Sequence, residues 1–217
     1  MQQRTLILIF IFILSGCSRP PAVNKWQYDA ASAMQAYEKH FLQRHLLRAK
    51  SDLSRARSSA SQSADLHTRI DIELSTCALN LSVLKEDSCE NALALLQIEP
   101  NGFQSAYLHL LRSEIIAEEI AYLPAQYRSF AAAMIEKNIS AINTQIEQIR
   151  PLSSRIIASA LAQEYLSDEN IQELITELSY HGYKNPLLAW LKVQMDKETD
   201  PQKKSRLQAK IALLTSG

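Results

Sequence analysis

Apolar residues past Trp26 recur every three or four positions, and no stretch alternates apolar and polar residues as a strand would. The most regular stretch is Ser63–Leu84. Its apolar positions fall on one helical face and are Leu66, Ile70, Leu74, Cys77, Leu81 and Leu84. The pattern predicts an all-α fold of about nine helices. Their predicted bounds are Ala30–Ser59, Ser63–Leu84, Cys89–Ile98, Gln104–Leu123, Pro124–Ile149, Pro151–Leu166, Ser167–His181, Asn185–Thr199 and Pro201–Leu214.

Short linkers between these helices force neighbours to pack antiparallel, and each helix has one apolar stripe to cover. The pair Asn185–Thr199 and Pro201–Leu214 spans about 30 residues, the proportion of one helical repeat. In architecture, though not in sequence, the row of helices is similar to tetratricopeptide-like repeats. Two arrangements remain open, an irregular α-solenoid and a helical bundle.

Composition supports a folded helical chain and rules out some kinds of site. Apolar residues make up 47% and charged residues 21%, which is close to the globular average. Only 4 glycines are present, which argues against glycine-rich phosphate loops. Although the net charge is zero, residues 17–62 carry 8 basic and 3 acidic residues, whereas residues 63–200 carry 10 basic and 20 acidic ones. The basic segment could lie near anionic lipid headgroups, or it could be a solvated helix face.

The N-terminus reads as an export signal. Arg4 precedes an unbroken apolar run over Leu6–Leu14, which is too short to span a bilayer and is typical of a signal-peptide core. The next residues, Ser15-Gly16-Cys17, complete a motif that resembles the lipobox of bacterial lipoproteins. This resemblance implies that residues 1–16 are cleaved and that the Cys17 thiol accepts lipid.

The same resemblance implies an address in the cell envelope. Several acyl chains on one cysteine make a stable anchor. Ser18 follows the cysteine where an aspartate would favour retention in the inner membrane, so the resemblance favours the outer membrane, with the domain facing the periplasm. Residues 17–25, with Pro20 and Pro21, are expected to form a short, stiff tether. Residues 26–217 are expected to form the helical domain.

Lipidation of Cys17 leaves Cys77 and Cys89 as an even pair in an oxidising compartment, which suggests a disulfide. The predicted helix places Cys77 about two turns before its end, so a simple hairpin would leave Cys89 about 10 Å too far along the axis. The bond requires that the linker run back extended or that the helix stop near Asn80. Two buried free thiols and a metal pair are the alternatives, and the lack of matching histidines disfavours metal.

Few residues suggest chemistry. The five histidines, for which surface or cap roles are expected, lack the zinc-protease spacing; they are His40, His45, His67, His109 and His181. Glu136-Lys137-Asn138-Ile139-Ser140 matches the bacterial N-glycosylation sequon, with Asn138 inside a predicted helix. Tyr183 and Trp190, near a helix junction, are candidates for contact with a partner, or Trp190 packs in the core with Tyr183 as a lid.

These features suggest a membrane-anchored, non-enzymatic scaffold or adaptor that binds other envelope proteins, with no cofactor and no metal. Its expected partners are the lipid bilayer, through Cys17, and envelope proteins; the predicted location excludes nucleic acid. A lipid- or small-ligand-binding lipoprotein is one alternative. An inhibitor or immunity-type lipoprotein is another.

Overall fold

The computed structural model describes residues 24–216, which are all-helical apart from turns and linkers. Two short 3-10 segments lie at Ala117–Tyr122 and Gln163–Tyr165. The α-helices, numbered in chain order, are α1 (Lys25–Leu42), α2 (Leu46–Ala60), α3 (Leu66–Ser82), α4 (Glu90–Ile98), α5 (Gly102–Leu111), α6 (Ala125–Ile135), α7 (Ile139–Gln148), α8 (Leu152–Leu161), α9 (Asp168–Tyr180), α10 (Lys184–Lys197) and α11 (Pro201–Ser216). The all-α prediction is therefore confirmed.

The predicted N-terminal segments fall almost entirely outside this range. The signal peptide and Cys17 lie outside the described residues, so their assignments remain predictions. Lys25, predicted as the end of the tether, is instead the first residue of α1, with Asn24 at the N-cap position. The helical domain thus begins slightly earlier than the sequence pattern indicated.

Four predicted helices are wrong in length, because each is interrupted in the structure. Ala30–Ser59 is divided into α1 and α2, and Pro124–Ile149 into α6 and α7. Gln104–Leu123 comprises α5, a turn and a 3-10 segment, and Pro151–Leu166 comprises α8, a turn and a 3-10 segment.

Three of these interruptions, after α1, α5 and α6, begin with the same reversal at a helix end. A residue with positive φ follows the helix, and the N–H after it donates to the carbonyl five residues earlier, as in a Schellman motif. At the end of α6, for example, Lys137 has φ 52° and the Asn138 N–H donates to the Ala133 carbonyl at 3.1 Å. The positive-φ residues of five such ends are Arg44, Leu84, Ser113, Lys137 and Gly182.

The first five helices stack as in a solenoid. Helix α1 packs beside α3, and α3 beside α5, while α2 and α4 pack against these helices. The later helices close the structure, because α8 packs against α3 and α10 packs against α1. These contacts between helices distant in the chain make the whole a bundle whose first part resembles a solenoid.

One large core cluster runs from α1 to α11 and includes the fully buried Phe130 and Trp190. A smaller cluster joins α3, α4, α5 and α8 around Cys77 and Cys89. Between residues 24 and 216, no helix combines the length and the apolar character needed to cross a bilayer.

Candidate functional site: a groove along α1 and α3

An open groove runs between α1 and α3. It consists of two cavities of about 350 and 330 Å³ that share Met34 and Ser75 in their walls. On α1 the lining residues follow helical spacing and are Gln27, Ala30, Ala31, Met34, Gln35 and Glu38. On α3 they are Thr68, Asp71, Ile72, Ser75, Ala78 and Leu79.

The two helices run in the same direction along the groove, since the first cavity joins their earlier turns and the second joins their later turns. Eleven residues separate Gln27 from Glu38, which at 1.5 Å per residue is about 16 Å of helix. An extended chain rises about 3.3 Å per residue, so the groove has the length of about five extended residues.

Two tyrosines from other helices line the later end of the groove. Tyr107 of α5 and Tyr127 of α6 stack with ring centroids 5.7 Å apart and an interplanar angle of 29°. Burial raises the pKa of both hydroxyls, and the negative charge of the nearby Glu38 raises both further. Both tyrosines therefore stay neutral, as polar aromatic surfaces beside a carboxylate.

Asp71 lies at the earlier end. Its Oδ1 accepts a hydrogen bond of 2.6 Å from the Gln104 side-chain amide, which also donates to the His67 carbonyl at 2.9 Å. Desolvation raises the pKa of the Asp71 carboxyl, and the bond from Gln104 offsets part of this rise. The amide holds the carboxylate in place without neutralising it.

The groove is acidic and contains no cationic side chain. Neither cavity is lined by Lys, Arg or His. Within residues 24–216, neither Glu38 nor Asp71 takes part in an ion pair of 4.0 Å or less. Glu38 is half-buried and Asp71 is exposed, so the groove presents one carboxylate near each end.

The predicted disulfide is present in the structure, with Cys77 and Cys89 Cα atoms 5.4 Å apart. The objection from helix geometry is met because α3 ends at Ser82 and the linker runs back without regular structure. Asp87 stabilises this linker, because its carboxylate accepts hydrogen bonds from the Asn80 side chain at 2.6 Å and from the Cys89 N–H at 2.9 Å. Both predicted routes contribute, since α3 ends two residues after Asn80 and the linker then runs back to bring Cys89 beside Cys77.

Possible metal ligands gather at the same place. A carboxylate oxygen of Asp87 and the sulfurs of Cys77 and Cys89 lie within 4.8 Å of one another. Because the two sulfurs are bonded to each other, they are not available as thiolate ligands in this state.

The histidines lie at caps and in side-chain pairs. His45 is the N-cap residue of α2, and His181 is the C-cap residue of α9. Three others pair with carboxylates on another element or linker. These pairs are His40–Asp52 at 2.6 Å, His67–Glu99 at 3.1 Å and His109–Glu119 at 2.7 Å.

The sequence predicted Asn138 within a helix, but the residue lies in the exposed turn between α6 and α7. It is the N-cap residue of α7, and its side-chain oxygen accepts a 3.1 Å hydrogen bond from the Ala141 N–H. The sequon therefore lies on an accessible turn, and glycosylation of Asn138 remains a prediction.

Trp190 has 0% exposure and packs in the large core cluster, so its indole is not on the surface to meet a partner. Tyr183 is half-buried against the same cluster. The packing alternative thus describes both residues. Helical spacing placed Trp190 on α10 but could not tell which side of that helix is covered.

A further cavity of about 280 Å³ lies near the turns after α5 and α6. Its lining is mostly apolar, with Ser113 and the exposed Lys137 as polar members. The volume is just below the 300–1,000 Å³ common for small-ligand sites. The cavity is a smaller, separate candidate site.

The groove was not predictable from the sequence, because it depends on the parallel register of α1 and α3. The small residues Ala30, Ala31 and Ser75 are a weak sequence signal of the groove, because their short side chains leave space between the two helices. Protein-family models, curated proteins and solved structures were all compared with the chain, and none matches it.

Proposed function

We propose that this protein is a lipoprotein, anchored in the outer membrane through Cys17, whose helical domain binds an envelope protein in the groove between α1 and α3. The observation that supports the binding role is the groove itself, which is open, about 16 Å long and lined by apolar and hydrogen-bonding side chains. Such a surface suits a segment of another protein. The anchor rests on the lipobox resemblance of Leu14–Cys17.

Site-specific photo-crosslinking in cells tests the binding role. A photoreactive amino acid at Gln27 or Gln35, both exposed on the groove wall, should give a crosslinked band that contains an envelope protein. The same group at Lys50, exposed on α2 and outside the groove, is the matched control. Equal crosslinking at all three positions would contradict a partner in the groove.

Membrane fractionation of the Cys17→Ala variant tests the anchor separately. The variant should leave the membrane fraction, because the acylated thiol supplies the apolar chains that hold the protein there. If the variant still floats with the membranes, lipidation at Cys17 is not what anchors it.

The cavity beside Lys137 supports a second candidate function, the binding of a small amphiphile with an acidic group. Its apolar lining would take a short acyl chain, and the lysine would pair with the acid. Lipid extraction and mass spectrometry of the purified protein test this, with Lys137→Gln as the comparison. Equal amounts of any extracted ligand from both forms would exclude Lys137 as its partner.

A further inference from the structure

We infer that the start of α2 docks against an anionic lipid bilayer through two exposed leucines and three cations around them. These five residues, here called the leucine patch, are Arg44, Leu46, Leu47, Arg48 and Lys50. The docking rests on the proposed anchor at Cys17 and adds a second contact with the same membrane.

The two leucines lie on the surface of the helical domain. Leu47 is 88% exposed and Leu46 is 50% exposed. Nine residues, or two and a half turns, separate Leu47 from the fully buried Ala56, so the two project from opposite sides of α2. Transfer of exposed apolar side chains from water to an apolar phase is favourable, and insertion at the interface of a bilayer provides such a phase.

The charge around the leucines is entirely basic. The three cations of the patch are exposed and lie within three positions of Leu47. Among the described residues, none of them forms an ion pair of 4.0 Å or less. Asp52, the acid of α2, is buried and contacts His40 at 2.6 Å and Arg55 at 2.7 Å, so it does not neutralise the patch.

This combination fits the chemistry of an anionic membrane. Such a bilayer presents negative headgroups directly above an apolar interior, so leucines can insert while the surrounding Lys and Arg side chains pair with the headgroups. The long stems of these cations also cover apolar surface and keep their charges at the level of the headgroups. The arrangement of charge and apolar surface therefore favours a bilayer as the occupant.

The proposed anchor allows the patch to reach the same bilayer. Eight residues lead from Cys17 to Lys25, where α1 begins, and a chain of this length spans at most about 26–29 Å. Helix α1 has 18 residues and is about 27 Å long, and the patch follows its far end at Leu42. The patch can thus touch the membrane even when α1 stands upright on it.

Tethering also makes a weak contact sufficient. Docking of an anchored domain is intramolecular, with an effective concentration in the millimolar range for a short linker. Because the anchor and the patch belong to opposite ends of α1, a second contact at the patch sets the orientation of the domain on the bilayer.

Vesicles that contain the full-length lipidated protein test the docking. The fluorescent amino acid dansylalanine, placed at position 47, emits at shorter wavelength in an apolar environment. Its emission should shift in vesicles of three parts phosphatidylcholine to one part phosphatidylglycerol, and not in vesicles of phosphatidylcholine alone. The same group at Leu213, which is 76% exposed on α11, is the matched control and should emit as in water in both.

Charge variants then assign the contact. In R44Q/R48Q/K50Q, the ratio of docked to undocked protein should fall about a hundredfold, since each cation near an anionic surface contributes about a fivefold preference. The control K203Q/K204Q/R206Q removes the same charge from exposed positions of α11 and should leave the emission at position 47 unchanged. Circular dichroism checks that both variants are folded.

Equal emission from position 47 in both kinds of vesicle, or an emission that R44Q/R48Q/K50Q does not change, would overturn the inference. A crosslink from position 47 to an envelope protein in cells, without a shift on anionic vesicles, would instead make the patch a protein contact.

Flotation of the same vesicles reports on the anchor separately. Protein that floats with neutral vesicles but shows no shift on anionic ones retains the anchor and rejects the docking. Protein that floats only with anionic vesicles, with the shift at position 47, retains the docking and rejects the anchor. Protein that floats with neither rejects both.

Discussion

Trp190 shows how one core residue can combine strong packing with an unmet polar group. Its ring is fully buried in the largest core cluster, yet its indole N–H has no hydrogen-bond partner among the described residues. A buried donor without an acceptor costs about 1–3 kcal/mol, whereas the ring surface contributes strongly to stability. The two effects oppose each other within one side chain.

Two substitutions separate these effects. Trp190→Ala should lower the free energy of unfolding by about 3–5 kcal/mol, because it leaves a large cavity. Trp190→Phe should lower it by less than about 1.5 kcal/mol, because the smaller ring keeps most contacts and removes the unpaired N–H. Urea unfolding followed by circular dichroism measures both, with Trp26→Phe at the half-buried second tryptophan as the control. Equal losses from the two Trp190 variants would show that packing of a phenylalanine fails at this site.

Individual residues were predictable from the sequence where chemistry, rather than position, decided their role. The disulfide between Cys77 and Cys89 was predicted from the oxidising compartment that the export signal implies. Helical spacing also indicated that the linker between them must run back along α3. The role of Asp87 in holding this linker was not predictable, because its two hydrogen bonds form only once the linker has folded back. Glu38 and Asp71 were not singled out from the sequence, because only the register of α1 and α3 places both in one groove.

At the scale of helices, the sequence predicted where apolar faces lie better than where helices end. The end of α9 was predicted because Gly182 follows the helix. In the structure Gly182 has φ 66°, a conformation that suits glycine. Four other helices end in the same reversal, and three of them have Arg44, Ser113 or Lys137 at that position. These side chains carry no signal of a stop, so the apolar pattern appeared to continue through each turn.

Lys137→Gly tests this account of the turns. Lys137 holds φ 52°, a region in which a Cβ atom costs about 1 kcal/mol and glycine has no such cost. The substitution should raise the free energy of unfolding by about 0.5–1 kcal/mol. The matched control is Lys50→Gly in the interior of α2, also exposed, which should lower it by about 1 kcal/mol. Destabilisation by both, measured in urea, would mean that the Lys137 side chain makes a stabilising interaction that outweighs its strain.

At the scale of the whole molecule, the contacts of α3 with α8 and of α1 with α10 distinguish this fold from an open solenoid. Consecutive helices such as α1 and α2 pack against each other, and the contacts of α3 with both α1 and α5 have the character of a solenoid. The closure was not predictable, since it joins segments far apart in sequence whose apolar faces are individually unremarkable. It also gives the groove its far wall, because residues of α8 line the cavity beside Tyr127.

This closure predicts a single cooperative unfolding transition. In an open solenoid each repeat contacts only its neighbours, so the two ends can unfold at different denaturant concentrations. Here the large core cluster includes residues from both α1 and α10, so loss of one end should destabilise the other. A Trp26→Phe variant leaves Trp190 as the only tryptophan, and its fluorescence then reports on the C-terminal part. Its urea midpoint should coincide with that from circular dichroism, which averages over all helices. Separate midpoints would mean that α1 and α10 unfold independently and that the bundle behaves as an open repeat array.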